Sequence, residues 1–170
     1  YGKGRNFDGN NDSVAIAFND VLNLANSPWT IACWVKHTSI TAPSIQEYIR
    51  GVKWVGGSNF YLFVDNGIPK IGFNPLSGAW YTANGPITLL VDTWYFIVGV
   101  YDGTTITCYV DAVAGTPVTP GCSPDVKIDN VIIGMADDNR PMNGIIDEVR
   151  VWNRALSAQE ILNYYQHGYL

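Results

Sequence analysis

The stretch Phe7-Asp8-Gly9-Asn10-Asn11-Asp12 crowds oxygen-bearing side chains ahead of the first strand-like run. Hard cations such as calcium take about six to eight oxygens, and a flexible loop of carboxylates, amides and carbonyls supplies them. The spacing is not that of an EF-hand, and an Asx-rich turn accounts for the same residues without a metal. A second acid, Asp147, lies in Ile145-Ile146-Asp147-Glu148-Val149-Arg150-Val151-Trp152. Strand alternation puts it on one face with Val149 and Val151. A carboxylate among apolar neighbours needs a partner, which a cation or N–H groups from the Asp8 loop would provide.

Aromatic residues form another constellation. Trp54, Tyr61, Trp80 and Tyr81, with Tyr48, stand near the polar loops Gly56-Gly57-Ser58-Asn59 and Ser77-Gly78-Ala79. Aromatic faces bury the C–H side of a sugar ring while nearby polar groups bind its hydroxyls. Asp137, Asn139 and Arg140, from the loop Asp137-Asp138-Asn139-Arg140, supply such groups. The competing reading is that these rings fill a core. Solvent-facing rings around one concavity favour a sugar; rings buried between sheets favour a structural role.

Catalytic parts are missing from the pattern. Sugar hydrolysis needs a spaced pair of carboxyl groups, and the only glutamates are Glu47, Glu148 and Glu160, with no Glu-x-Asp-x-Glu run. Asp147 and Glu148 point to opposite faces if extended. His37 and His167 sit in no H-E-x-x-H or G-x-S-x-G context. The expectation is a module without an enzymatic activity of its own.

The elements that position these residues read as β-structure. The 170 residues suit one domain, and 47% hydrophobic with 15% charged content is too apolar for a disordered chain. Ten Lys+Arg against fifteen Asp+Glu, with no basic run, argue against a nucleic-acid partner. No apolar stretch reaches the roughly 18 residues of a membrane span, so membrane insertion is not expected. About ten strand-like runs, from Asp12–Ala17 to Gly144–Trp152, are separated by turn signals such as Asp65-Asn66-Gly67 and Asp102-Gly103-Thr104. They predict an all-β, two-sheet antiparallel sandwich spanning 1–170 as a single module. The absence of an initial Met reads as a piece of something longer.

One segment departs from this pattern. Ser157 precedes Glu160 by three residues, a capping box, with Ile161, Tyr164 and Tyr165 at helical spacing and Gly168 as a stop. A short C-terminal helix is predicted. Of three cysteines, Cys33 and Cys108 lie in strand-like runs and Cys122 in a Pro/Gly loop. The alternatives are two buried small hydrophobes plus a loop thiol, or a Cys108–Cys122 bridge.

Several stretches together resemble a known family: Phe7-Asp8-Gly9-x-x-Asp12-x-Val14, Trp29-Thr30-Ile31-x-x-Trp34-Val35-Lys36, Trp94-x-x-x-Val98-Gly99-Val100-Tyr101-Asp102-Gly103, Tyr109-Val110-Asp111, Ile133-Gly134 and Asn143 to Ser157. In order and content they resemble the laminin-G-like domains of the concanavalin A-like lectin/glucanase superfamily. The resemblance implies a jelly roll of two antiparallel sheets. It also implies a structural calcium held by Asp8 and Asp147, with Asn10 and Asp12 beside them. The usual Asp-Gly of one hairpin is here Asp111-Ala112. The resemblance assigns no sugar-binding positions.

Together these readings point to a non-catalytic carbohydrate-binding module of a secreted or surface protein, taking a poly- or oligosaccharide. The alternative is a protein-binding adhesion or architectural domain, since one fold hosts both.

Overall fold

A computed structural model describes residues 4–17, 20–53, 58–76, 78–124, 128–135 and 140–168. The strands in chain order are β1 (Arg5–Asp8), β2 (Val14–Ala17), β3 (Trp29–His37), β4 (Ile45–Val52), β5 (Ser58–Asp65) and β6 (Ile68–Asn74). There follow β7 (Tyr81–Asn84), β8 (Trp94–Tyr101), β9 (Ile106–Val110), β10 (Val113–Ala114), β11 (Asn130–Ile133) and β12 (Asn143–Trp152). A 3-10 turn spans Asp20–Leu22, and the helix α1 spans Ala158–His167.

Two antiparallel six-stranded sheets face each other. The first has the order β1-β12-β3-β8-β9-β10 and the second β2-β11-β4-β5-β6-β7. The predicted all-β sandwich with one terminal helix is thus what the chain forms. Period-two alternation explains which side chains meet between the sheets. Ile31, Cys33 and Val35 of β3 and Ile97 of β8 pack against Phe60, Leu62 and Val64 of β5 and Ile71 and Phe73 of β6. His37 joins this interior: its Nδ1 donates to the Ser39 carbonyl at 3.2 Å, so its Nε2 accepts from the Tyr48 hydroxyl at 2.8 Å.

The residues between those inward positions face the other way. On the first sheet, Ala32, Phe96, Val98 and Val100 meet Leu156 and Ile161 at the root of α1. Tyr165 stacks on Trp34 at 5.8 Å, and Tyr164 meets Trp152 edge-on at 5.1 Å. The capping box forms as predicted, with Ser157 accepting from the Glu160 N–H and Glu160 accepting from the Ser157 N–H. Gly168 closes the helix in the left-handed region at φ 74°. Thr30 fixes where the helix starts, donating to the Arg154 carbonyl at 2.8 Å and accepting from the Leu156 N–H at 2.9 Å.

Hairpins form at the expected turns. Asn66 and Gly67 carry positive φ of 49° and 79° in the β5–β6 turn. Asp111 and Ala112 take φ of 50° and 66°, the same left-handed pair achieved without glycine. Asp111 compensates by accepting the Phe96 N–H on its carboxylate at 2.8 Å. Cys33 and Cys108 are buried and Cys122 is exposed, all three as free thiols, so no Cys108–Cys122 bridge forms. Among the described residues, no helix is long and apolar enough to cross a membrane.

Candidate functional site

Among the described residues, the outward positions of the second sheet carry no helix of the kind that covers the first, and Tyr61, Trp80 and Arg140 converge there. On β5 the residues alternating with the core set are Asn59, Tyr61, Phe63 and Asp65. Tyr61 and Phe63 stack at 4.9 Å, and Trp80, just before β7, meets Tyr61 edge-on at 5.0 Å. Trp80 is 53% exposed, whereas Tyr61 is 4% exposed. Gly72 of β6 makes room beneath them, since a Cβ there would lie 2.1 Å from the Tyr81 carbonyl and 3.0 Å from the Tyr61 hydroxyl.

Strand β4 contributes charge to the same face. Glu47, 2% exposed, accepts from Arg50 at 3.3 Å and from Arg140 at 3.5 Å. A bulge between Glu47 and Ile49 lets Tyr48 and Ile49 both turn inward while Glu47 and Arg50 share the outer face. Arg50 donates to the Ser58 hydroxyl at 2.8 Å, and its guanidinium lies 5.8 Å from the Trp80 ring centre. Arg140 arrives from the connection before β12, its carbonyl accepting the Glu47 N–H at 3.1 Å. Asp65 is paired with Lys70 at 2.8 Å.

These groups border a cleft of about 310 Å³, lined by Glu47, Tyr61, Asp65, Trp80, Thr82 and Arg140 together with Ile45 and Phe63. That lies at the small end of ligand sites, which run from about 300 Å³ upward. The Tyr61 hydroxyl is buried and has no hydrogen-bond partner among the described residues. Burial is the main reason its pKa is raised, opposed by Arg50 and Arg140, so it stays a neutral phenol with a proton to donate. The arrangement offers a half-exposed indole for stacking and directional donors beside it.

The structure therefore brings together Tyr61, Trp80 and Arg140 of the residues singled out in the sequence. Tyr81 goes elsewhere: it is the next residue along a strand, so its ring crosses to the inner face and packs 5.8 Å from Phe73. Trp54, Asp137 and Asn139 lie outside the described residues. Glu47, Arg50 and Thr82 escaped the sequence reading, although the alternation Asn59, Tyr61, Phe63, Asp65 on β5 already marked an outer face worth inspecting.

The residues expected to hold calcium fall at two separate places in the structure. Asp8 lies opposite Asn143 in the β1–β12 ladder, while Asp147 lies beyond Ile146, the partner of Arg5. Four positions along a strand separate the two acids by about 13 Å. Asp147 is half-buried rather than enclosed, and its carboxylate accepts the Glu148 N–H at 2.8 Å. A bulge between Asp147 and Arg150, with Glu148 at φ 51°, breaks the alternation that would have grouped Asp147 with Val149. Asp8, Asn10 and Asp12 form an Asx-type turn. Asp8 accepts the Asn10 N–H at 2.9 Å and gives its own N–H to Asp12 at 3.0 Å. The Asn10 bonds hold the Asp8 carboxyl below its ordinary range. Gly9 turns the loop at φ 81°, where its Cα also faces the Asn143 amide too closely for a side chain. No group of three or more His, Cys, Asp or Glu that could hold a metal occurs among the described residues.

Comparisons with known proteins agree with this architecture. The family profile described as the concanavalin A-like lectin/glucanases superfamily matches residues 8–162. No curated protein matches the sequence. Among solved structures, the receptor binding domain of botulinum neurotoxin D superposes with a TM-score of 0.75 at 13% identity, covering 95% of this chain and 43% of that one. A native heptameric SAP-like pentraxin from Limulus polyphemus gives 0.67 at 13% identity, covering 82% and 70%. The botulinum neurotoxin serotype D ligand binding domain in complex with N-acetylneuraminic acid gives 0.73 at 14% identity, covering 91% and 40%. The chain thus spans about two-fifths of the length of the neurotoxin domains it matches.

Proposed function

Because the chain belongs to the concanavalin A-like lectin/glucanases superfamily, we propose that it is a non-catalytic carbohydrate-recognition module that holds its ligand on the outer face of β4 to β7. One observation carries this reading: half-exposed Trp80 stands edge-on to a buried Tyr61 whose hydroxyl lacks a partner, at the wall of an open cleft. An unpaired buried hydroxyl costs about 1–3 kcal/mol, and a ligand that pairs with it recovers that cost on binding. A saccharide fits both demands, since its C–H face stacks on indole while its oxygens meet the donors. A structural relative with a bound N-acetylneuraminic acid supports the ligand class.

The same cleft argues for recognition over hydrolysis. Among the described residues it presents two carboxylates, Glu47 and Asp65, each paired with cationic side chains rather than left as a free acid–base pair. The module would serve within a longer secreted or cell-surface protein, where free glycans are met.

A glycan array probed with the chain tests the proposal, followed by Trp80→Ala. Saccharide binding that falls about tenfold or more in Trp80→Ala, with the melting temperature within a few degrees of the parent, is the expected outcome. Reducing-end release from polysaccharides should stay at background. A protein-docking role is the second reading, favoured by exposed Leu90, Val91 and Trp94 in and after the β7–β8 connection. An array without hits, together with retained binding of a protein partner in Trp80→Ala, would select it.

A further inference from the structure

Among the described residues, the charged side chain most exposed in the cleft is that of Arg140. The carboxylates of the cleft accept from cations, Glu47 from Arg50 and Arg140, and Asp65 from Lys70 and the Asn66 amide. Among the described residues Arg140 commits only Nη1, through a long 3.5 Å contact, and its side chain is 34% exposed. A guanidinium has five N–H groups, so most of this one is available beside Trp80. The Tyr61 hydroxyl adds a neutral donor without a partner among the described residues. Arg140 is also held in place at its backbone by β4, which reduces the ordering cost of using it.

We infer that the saccharide taken by this cleft carries an oxyanion, a uronate carboxylate or a sulfate, gripped by Arg140 and the Tyr61 hydroxyl while a ring stacks on Trp80. The inference rests on the carbohydrate reading above and sharpens its ligand class. A neutral sugar hydroxyl accepts from the same guanidinium through a weaker bond than an oxyanion does. An oxyanion only accepts, and each bond it takes from a guanidinium is charge-assisted, roughly twice as strong as a neutral one. Arginine also presents its N–H groups as a planar fork that matches the two oxygens of a carboxylate or the edge of a sulfate.

Calorimetric titration of the chain with oligogalacturonate, with sulfated dextran oligomers and with a neutral malto-oligosaccharide of equal length separates the possibilities. Either acidic probe should bind about tenfold or more tightly than the neutral one, and the acidic probe preferred identifies the oxyanion. Raising the salt from about 50 to about 300 mM should weaken the acidic complex and leave neutral binding unchanged. Arg140→Gln should lose about tenfold for the acidic probe, Arg140→Lys should lose less, and Tyr61→Phe should lose about fivefold. Melting temperatures report whether each variant is folded; should Arg140→Gln unfold, salt dependence and Tyr61→Phe still decide. Equal binding of neutral and acidic probes, or a folded Arg140→Gln with unchanged acidic affinity, overturns the oxyanion and leaves the carbohydrate reading standing. Saccharides that bind no better to the parent than to Trp80→Ala overturn the cleft itself, and with it both conclusions.

Discussion

The two sheets of this protein have the same inner face and opposite outer ones. Behind the first sheet, Ala32, Phe96, Val98 and Val100 continue the apolar character of the interior, and α1 seals them with Ile161, Tyr164 and Tyr165. Behind the second, the equivalent positions carry Glu47, Arg50, Tyr61 and Asp65, all four beside Trp80 or its cleft, and among the described residues no helix covers them. The difference lies in what alternates with the core residues. Apolar side chains on both faces demand a second layer, whereas ion pairs and aromatic rings remain compatible with water and with a polar ligand. One face is therefore spent on stability and the other is left available for binding.

Breaking the sealed face should cost the most. Ile161 is fully buried, and Ile161→Ala should lose about 3 kcal/mol of stability in denaturant unfolding, with ligand affinity of the folded fraction unchanged. The open face should behave in reverse, Trp80→Ala sparing stability and losing affinity. Equal stability losses from the two substitutions would erase the distinction between the faces.

Acid should strike what both faces share. Burial, opposed by the Ser39 carbonyl and the Gln46 side chain, lowers the pKa of His37 from 6.5 to about 4. The unfolded chain binds that proton near 6.5, so between pH 6.5 and 4 the unfolded state carries more protons than the folded one. Stability should be unaffected by this group above pH 6.5 and fall by about 3 kcal/mol as the pH drops to 4. Urea unfolding of the parent and of His37→Gln across that range checks it, the variant showing a flatter profile.

A smaller effect belongs to the cap of α1. Ser157→Ala removes the acceptor for the Glu160 N–H and should cost about 1 kcal/mol, read as a fall of about 2–4 °C in melting temperature. Smallest of all is Asp147. Since the ladder separates it from Asp8, the melting temperatures of the parent and of Asp147→Ala should respond alike to calcium and to chelator. Loss of the calcium response in Asp147→Ala would mean that the two acids share a cation despite that register.

What the sequence determined by itself was local. Asn66-Gly67 specifies a tight turn because both residues tolerate positive φ, and Ser157 with Glu160 specifies a helix start because each satisfies a backbone N–H of the other. Tyr61 was singled out as an aromatic residue near a polar loop, and the alternation within β5 that places it on the outer face with Phe63 and Asp65 was equally legible in the sequence. Strand β1 was not, since Arg5–Asp8 read as part of a loop until pairing with β12 satisfied its backbone. Nor were the bulges after Glu47 and Asp147 legible, because they arise from register against partner strands remote in the chain. Those bulges decided the chemistry. One placed Glu47 and Arg50 together under Trp80 and within reach of Arg140, and the other freed Asp147 from the face expected of it. Side-chain direction in a strand has a period of two, so one inserted residue reverses everything after it, and only the completed ladder shows where the insertion falls.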